Sequence, residues 1–351
     1  MAELVQRYLD ELLAEYAGVT DGALADYIPE LAQADPSSLG LALSSSDGYV
    51  YESGSARQEF TIQSISKPFT YALALDQVGE AAVDARIGVE PSGEAFNEIS
   101  VDRVTKKPKN PMINAGAITA VSLIPADGPD ERFAKIRDFY SACAGRPLEF
   151  DEQVYRSEES SGSRNRAIAR GGVNPQTGRR VTDARVVQRT LSLMVTCGMY
   201  DAAGDWVSAV GMPAKSGVGG GIVAVLPGQL GIGVYSPLLD PKGNSVRGVL
   251  LCRSLSERLG LHFLTVSRES RSTIRAIYEP IDRVRVYELH GDLMFAGAEQ
   301  VARTVDRDGD DFAVAVLDVT RVDTINDAAR ALLAGTSAAA AGSSATTATM
   351  L

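Results

Sequence analysis

The chain has 351 residues, a net charge of −11 and 45% hydrophobic residues, which is typical of a soluble globular protein with about two domains. The acidic charge argues against nucleic acid and an anionic membrane as partners, and no uncharged apolar run is long enough to span a bilayer. Three widely spaced cysteines, and an acidic amphipathic start unlike a signal peptide, predict a cytoplasmic protein with reduced thiols.

The first half of the chain shows alternating helix and strand signals. Apolar periodicity predicts a helix over residues 2–16. A hairpin is predicted to turn at Asp47-Gly48. A helix is predicted from Ser64 to Leu75, with Pro68 tolerated in its first turn and Ser64 able to cap it. Residues 109–118 read as a rigid loop that leads into another helix.

The second half adds two strands and further helices. Two β-rich runs flank a turn at Pro227-Gly228, and residues 246–259 show helical periodicity. Together these signals predict an α/β (α+β) domain with an antiparallel sheet and helical layers over residues 1–264.

The rest of the chain divides into three predicted parts. Residues 265–281 are charged and serine-rich, like a linker. A small α/β module of strands and helices follows over residues 282–335. The alanine- and serine-rich tail, 336–351, is predicted to be disordered.

The histidine content excludes common hydrolase designs. The two histidines, His262 and His290, lie late in the chain, away from any dense motif. A Ser-His-Asp enzyme needs a histidine beside its nucleophile, and a zinc hydrolase usually needs closely spaced histidine or cysteine ligands. A hydrolase with this sequence therefore needs another base, for which lysine is the obvious candidate.

A serine and a lysine occur at the required spacing in Ser64-Ile65-Ser66-Lys67. Residues i and i+3 share one helix face, and burial near a helix N-terminus favours a neutral lysine that can deprotonate the serine. The alternative is an N-capping serine with an exposed lysine. Lys215-Ser216-Gly217 strengthens the catalytic reading, because an S-x-x-K helix facing a K-[ST]-G strand occurs in penicillin-binding proteins and serine β-lactamases. Its own alternative is a basic residue at the start of a hairpin.

Further motifs identify a family resemblance over roughly residues 8–263. The chain resembles the serine-dependent glutaminases, which share the β-lactamase-like fold. The words that carry this resemblance, in chain order, are "DYIPELA", "QSISKP", "EPSGEAFN", "NPMINAGAI", "SEESSGSRN", "LSLMVTCGMYD", "PAKSGVGGGI" and "SPLLDPKGNSVRG".

The resemblance implies a role for each matching residue. Ser64 would be the nucleophile, Lys67 its base, and Tyr200 a phenol that assists proton transfer. Val218 and Ser64 would supply the oxyanion N–H groups. The substrate-binding residues implied by the resemblance are Tyr27, Gln63, Ser64, Asn114, Glu158, Asn165, Tyr200 and Val218. Taken singly, several of these would read as packing, loop or surface residues.

The implied reaction is hydrolysis of L-glutamine to L-glutamate and ammonia through a γ-glutamyl-serine ester. No metal or organic cofactor is expected. The expected partners are the L-glutamine substrate and further copies of the chain in a dimer or tetramer. Two alternatives stay open: another serine acyl-enzyme amidase, for instance one acting on β-lactams, and a catalytically impaired scaffold or regulatory protein.

The chain departs from the family pattern after Ala169. The helix that follows "RNRAIA" in the family, and a further helix with a Tyr-x-x-x-Cys-Ser pattern, have no counterpart in this sequence, which predicts an internal deletion near 169–171. The C-terminal part resembles half of a STAS domain, through "VYELHGDLMF" and "VAVLDVTRVDTIND". Thr324 is a phosphorylation candidate there by position, or an N-cap of the following helix.

Overall fold

The structure, a computed structural model, describes residues 2–92, 102, 104–154, 180–265, 273–340 and 347–350. Two predicted substrate-binding residues, Glu158 and Asn165, lie outside these ranges, and so does the predicted deletion. The described chain forms two compact units, residues 12–253 in one and residues 1–11 with 254–351 in the other.

Helices and one sheet alternate along residues 1–265. The helices are α1 (Ala2–Tyr16), α2 (Pro29–Ala32), α3 (Ser66–Val78), α4 (Glu80–Asp84), α5 (Asn114–Leu123), α6 (Pro129–Ala144), α7 (Ala184–Cys197), α8 (Ala203–Ala209) and α9 (Val246–Leu259). The strands are β1 (Gly40–Ser45), β2 (Val50–Gly54), β3 (Ala214–Gly217), β4 (Gly221–Leu226) and β5 (Leu230–Tyr235). The helices predicted over 2–16 and 246–259 are confirmed.

These five strands form one antiparallel sheet in the order β2-β1-β5-β4-β3. The predicted turns at Asp47-Gly48 and Pro227-Gly228 are confirmed as the links between β1 and β2 and between β4 and β5. Gly48 and Gly228 both have positive φ, a conformation that glycine adopts without steric cost. The order leaves β3, which carries Lys215-Ser216-Gly217, at an edge of the sheet.

Helix α3 runs through the main hydrophobic core. Every residue from Lys67 to Leu75 is buried, as expected for a helix that is apolar on all sides. Pro68 lies in its first turn, as predicted. The predicted Ser64 cap is wrong, because Ile65 is the N-cap residue and no side chain caps the helix.

A hydrogen-bonded network fixes the start of α3 instead. The Ser66 hydroxyl donates to Gln63 O at 2.7 Å. The Tyr140 hydroxyl donates to Ser66 O at 3.0 Å and also hydrogen-bonds to Thr70. These bonds tie α6 to the first turn of α3, next to Ser64.

The C-terminal part of the chain forms a second sheet with two helices. Its strands are β6 (Ile274–Ile281), β7 (Val284–Leu293), β8 (Val314–Ile325) and β9 (Thr347–Met350), and its helices are α10 (Phe295–Asp308) and α11 (Asp327–Ala340). The strand order is β6-β7-β8-β9, antiparallel between β6 and β7 and parallel elsewhere.

Three predictions about this part need correction. Strand β6 lies within the predicted linker, residues 265–281. The end of α11 and strand β9 lie within the tail that was predicted to be disordered. Thr324 does not cap α11, because the cap is Asn326, whose side chain accepts from Ala329 N at 2.8 Å, while the Thr324 hydroxyl donates to Asp292 at 2.5 Å.

Within the described part of the chain, no helix combines the length and apolarity needed to cross a membrane. All three cysteines are free thiols, as predicted. Burial raises the pKa of both Cys143 and Cys252 to about 12, so both are unreactive packed thiols at neutral pH.

Candidate active site

Ser64 lies in a short 3₁₀ turn, Gln63–Ile65, that leads directly into α3. Gln63 has φ of 49°, in the left-handed region that a non-glycine residue occupies at a steric cost. Backbone strain of this kind is concentrated at functional sites, where surrounding contacts hold it in place. Here the turn is held by packing on α3 and by the Ser66–Gln63 hydrogen bond.

The turn also lies directly against the β3 edge strand. A Cβ placed on Gly217 would be 2.9 Å from Ile62 O, and one on Gly219 would be 2.7 Å from Thr61 O. Both distances are too short for a side chain, so glycines are required for this close approach. The backbone around Val218 is thereby placed beside the turn that carries Ser64.

Lys67 is buried, and this excludes the alternative of an exposed surface lysine. Its side chain is 8% exposed, and its amine donates to Asn114 Oδ1 at 2.6 Å. Burial lowers the pKa of Lys67 to about 8, because the interior disfavours the charged form. A substantial neutral fraction therefore exists just above neutral pH, which a general base requires.

Asn114 is positioned by the loop that precedes α5. The buried Asn110 side chain donates to Glu90 O at 2.8 Å and accepts from Met112 N at 2.9 Å. Gly116 allows close packing, since a Cβ there would lie 1.9 Å from Asn110 O. The loop is thus tightly hydrogen-bonded, as its sequence predicts, and it aims Asn114 at Lys67.

Tyr200 lies beside Ser64. The Ser64 hydroxyl hydrogen-bonds to the Tyr200 phenol, which itself donates to Ser216 O at 3.1 Å. Burial raises the pKa of Tyr200 to about 12, so the phenol stays protonated at neutral pH. Its backbone φ of 52° is a second left-handed non-glycine conformation at this site.

Lys215 lies in the first strand of the β3–β4 hairpin, as its alternative reading expected, but it is completely buried against the Tyr200 ring rather than exposed. Its Nζ lies 4.2 Å from the Tyr200 ring centroid and donates to Gly198 O at 2.9 Å and Ser216 O at 2.7 Å. Burial first, and the nearby Lys67 second, hold the pKa of Lys215 well below its usual value. A neutral amine has two N–H groups, which these two carbonyls satisfy.

The remaining predicted residues form the rim of the site. Tyr27 is 56% exposed, and its hydroxyl lies 3.4 Å from Gln63 Oε1. Val218 follows the last residue of β3, in a turn closed by the Gly220 N to Gly217 O hydrogen bond of 2.9 Å.

The structure therefore gathers the described candidates in linked pairs: Tyr27 with Gln63, Ser64 with Tyr200, and Lys67 with Asn114. Two participants were missed by sequence reasoning. Lys215 was recognised only as part of a strand motif, although its spacing before Gly217 is the signal for its position. Tyr140, which holds the first turn of α3, has no motif around it.

The family model described as glutaminase matches residues 22–171 and 168–264. The chain belongs to the glutaminase family. The matched glutaminase region contains every residue of the site described above.

Individual glutaminases extend the likeness beyond this region. The chain is 44% identical over 307 residues to the glutaminase of Microcystis aeruginosa, covering 76% of this chain and 91% of that one. It is 40% identical over 372 residues to the glutaminase of Corynebacterium efficiens, covering 94% and 88%.

Two solved structures are similar to this chain in fold. The structure of Mglu in its glutamate form has a TM-score of 0.72 and 34% identity, covering 98% of both chains. A probable glutaminase from Bacillus subtilis, complexed with 6-diazo-5-oxo-L-norleucine, has a TM-score of 0.66 and 29% identity, covering 74% of this chain and 96% of that one.

Proposed function

We propose that this protein hydrolyses L-glutamine to L-glutamate and ammonia, with Ser64 as the nucleophile. The observation that carries the proposal is the hydrogen bond of Ser64 to the half-buried Tyr200 phenol, three residues before a buried lysine of lowered pKa, within a glutaminase-family chain. The glutamate form of Mglu, a structural relative over nearly its whole length, supports an amino acid of this shape as the ligand.

The first step is acylation of Ser64. The Ser64 oxygen attacks the side-chain carboxamide carbon, and the C–N bond of that amide breaks. Neutral Lys67 takes the serine proton, and a proton returns to the leaving nitrogen so that ammonia departs. Tyr200 stays protonated up to about pH 12, so its proposed role is to relay or stabilise the proton near Ser64. Lys67, with a pKa of about 8, is better matched to act as the base.

Charge that develops on the amide oxygen needs donors in place before the reaction. The backbone N–H groups of Ser64 and Val218 are proposed to supply them. The close packing of Gly217 and Gly219 against residues 61–62 supports this assignment, because it brings the two segments together rigidly. In the second step water attacks the γ-glutamyl ester, glutamate leaves, and Ser64 regains its proton.

Selection of glutamine is assigned to the rim of the site. Tyr27, Gln63 and Asn114 offer hydroxyl and amide groups that can bind the α-carboxylate and the amide without an arginine. Glu158 is proposed to pair with the α-ammonium group, and Asn165 to complete the polar set. Both lie outside the described residues, and the match to the glutaminase motif "SEESSGSRN" is their support.

The test is ammonia release from L-glutamine by the purified chain, beside Ser64→Ala and the control Ser192→Ala, which changes an exposed serine on α7. We expect release by the wild type and the control, and none above background from Ser64→Ala. A chromogenic β-lactam tests the alternative amidase. Absence of ammonia release from a cooperatively folded wild type would reject the proposal in favour of a non-catalytic scaffold.

We also propose that the chain lacks a family segment near Ala169. The glutaminase model matches in two pieces that meet at 168–171. The alignment with the Microcystis enzyme spans 307 positions, whereas 76% of this chain is about 267 residues, so about 40 positions have no residue here.

For the C-terminal part we propose a STAS-like module. Its support is the order β6-β7-α10-β8-α11-β9 with three parallel strands, which accompanies the sequence likeness. Assembly into a dimer or tetramer in the cytoplasm is likewise proposed by analogy with the family. Sedimentation velocity of the full chain measures the oligomeric state.

A further inference from the structure

A cavity of about 810 Å³ lies on one face of the five-stranded sheet, apart from Ser64, Lys67 and Tyr200. Its floor is a cross-strand row in which Glu52, Ala42 and Gly233 lie side by side. Directly opposed residues of an antiparallel sheet project to the same face. Alanine and glycine thus form a floor with little side-chain volume, and the volume above it is of the size that small-molecule sites have.

The opposite wall of this sheet cavity is apolar. It is formed by Ile62, Ile65, Leu148 and Val154, all buried, and by Phe60, whose ring stacks on Tyr235 with centroids 4.6 Å apart. An apolar wall facing a small-residue floor fits an apolar ligand body such as an alkyl chain or a ring.

The rim of the sheet cavity is strongly acidic. Among the described lining residues, one carries a guanidinium group, Arg146, and it lies 3.4 Å from Glu59. Six carry carboxyl groups, namely Glu52 at the end of the floor row and Glu30, Asp35, Glu59, Glu149 and Asp151 around it. Glu52 is also paired with Arg57, which lies 2.7 Å away. Such a rim attracts a cation and repels an anion.

We propose that the sheet cavity is a second ligand site, which binds a molecule with an apolar body and one ammonium group. The apolar walls hold the body, while the acidic rim binds the ammonium. The cavity wall includes Thr61 and Gly219, close in sequence to Ser64 and Val218, but binding itself requires no catalytic group.

Gly233 offers a direct way to block the site. A Cβ built there meets no atom within 4 Å, and its φ is not in the positive range. Gly233→Val therefore fills the cavity from its floor with a residue that suits a strand. Gly204 is the matched control, because a Cβ built on it also meets nothing within 4 Å, and it lies in α8, outside the cavity.

The experiment is calorimetric titration of the full chain with decylammonium, decanol and decanoate, each below its micelle concentration and without glutamine. We expect one saturable decylammonium site, at least tenfold tighter than decanoate. Gly233→Val should weaken decylammonium binding at least tenfold, whereas Gly204→Ala should leave it unchanged. Thermal unfolding without ligand confirms that both variants fold.

The proposal would be overturned by no saturable binding of decylammonium, by equal binding of decanoate, or by binding that Gly233→Val leaves unchanged. If decanol binds as tightly as decylammonium, the acidic rim does not contribute to binding, and the proposal is also rejected. None of these results depends on glutamine hydrolysis, so the two proposals fail separately.

Discussion

The Lys67 amine donates a 2.6 Å hydrogen bond to the Asn114 side chain, and this bond joins the buried start of α3 to the exposed start of α5. The partner is a neutral amide, which leaves desolvation to dominate the environment of the lysine. Replacing that amide by a carboxylate would reverse the balance, since an opposite charge favours the protonated form.

The first prediction concerns pH. With a Lys67 pKa of about 8, kcat/KM for glutamine should rise with pH through about 8 as the base becomes neutral. Asn114→Asp should move this rise to higher pH, because it raises the pKa of Lys67. A pH–rate profile of both enzymes checks this, and an unmoved profile would show that another group controls the rise.

The second prediction concerns stability. Lys67 binds a proton up to about pH 8 when folded and up to about pH 10.5 when unfolded. Burial of Lys67 therefore destabilises the folded state fully below pH 8, and this destabilisation disappears as the pH rises towards 10.5. This shift corresponds to a destabilisation of the folded state of about 3 kcal/mol. Lys67→Met removes that destabilisation but also loses the hydrogen bond to Asn114, which offsets about 1 kcal/mol of the gain.

Lys67→Met should thus be inactive but more stable than the wild type at pH 7, by about 2 kcal/mol. The advantage should shrink at pH 10. Urea unfolding at both pH values measures this. A variant that is less stable at pH 7, or a difference independent of pH, would contradict the buried-base account.

The third prediction concerns the strained backbone of Gln63. Gln63→Gly and Gln63→Ala both remove the amide, but only glycine relieves the left-handed conformation. The glycine variant should be more stable than the alanine variant by about 1 kcal/mol. Denaturant unfolding of the pair measures this, and equal stability would mean that the turn relaxes without strain.

The fourth prediction concerns the phenol beside the nucleophile. Tyr200→Phe keeps the ring in contact with the Lys215 amine but removes the acceptor for the Ser64 hydroxyl. Ser216 O retains the Lys215 Nζ as a donor at 2.7 Å, so the fold should be kept. We expect kcat to fall roughly 10²-fold with little change in KM, measured by steady-state kinetics. A KM effect alone would assign Tyr200 to binding.

How far the sequence predicts the structure depends on how local the signal is. The turns at Asp47-Gly48 and Pro227-Gly228 and the helix after Ser64 follow from short-range chemistry and were predicted. The charged residues of strand β6 indicate a linker in the sequence, because the ion pairs that they form with the neighbouring strand are visible only in the fold. Arg275 pairs with Glu288, and Glu279 accepts from Arg285.

The candidate active site likewise combines features that the local sequence predicts with features that only the fold shows. The S-x-x-K and K-[ST]-G motifs locate Ser64 and Lys67 along the chain, but neither motif reveals that Lys215 is completely buried against Tyr200. That position depends on the approach of β3 to the 3₁₀ turn, which glycines permit and only the folded chain displays. The pKa values that separate base from phenol follow from this burial.

The most direct measurement of the central claim is the mass of the enzyme quenched in acid during turnover of L-glutamine. The account predicts a fraction of molecules heavier by one γ-glutamyl group, with peptide mapping that places the group on Ser64. It also predicts that Ser64→Ala carries none. Turnover with no adduct on Ser64 under rapid quench, or an adduct on another side chain, would contradict it.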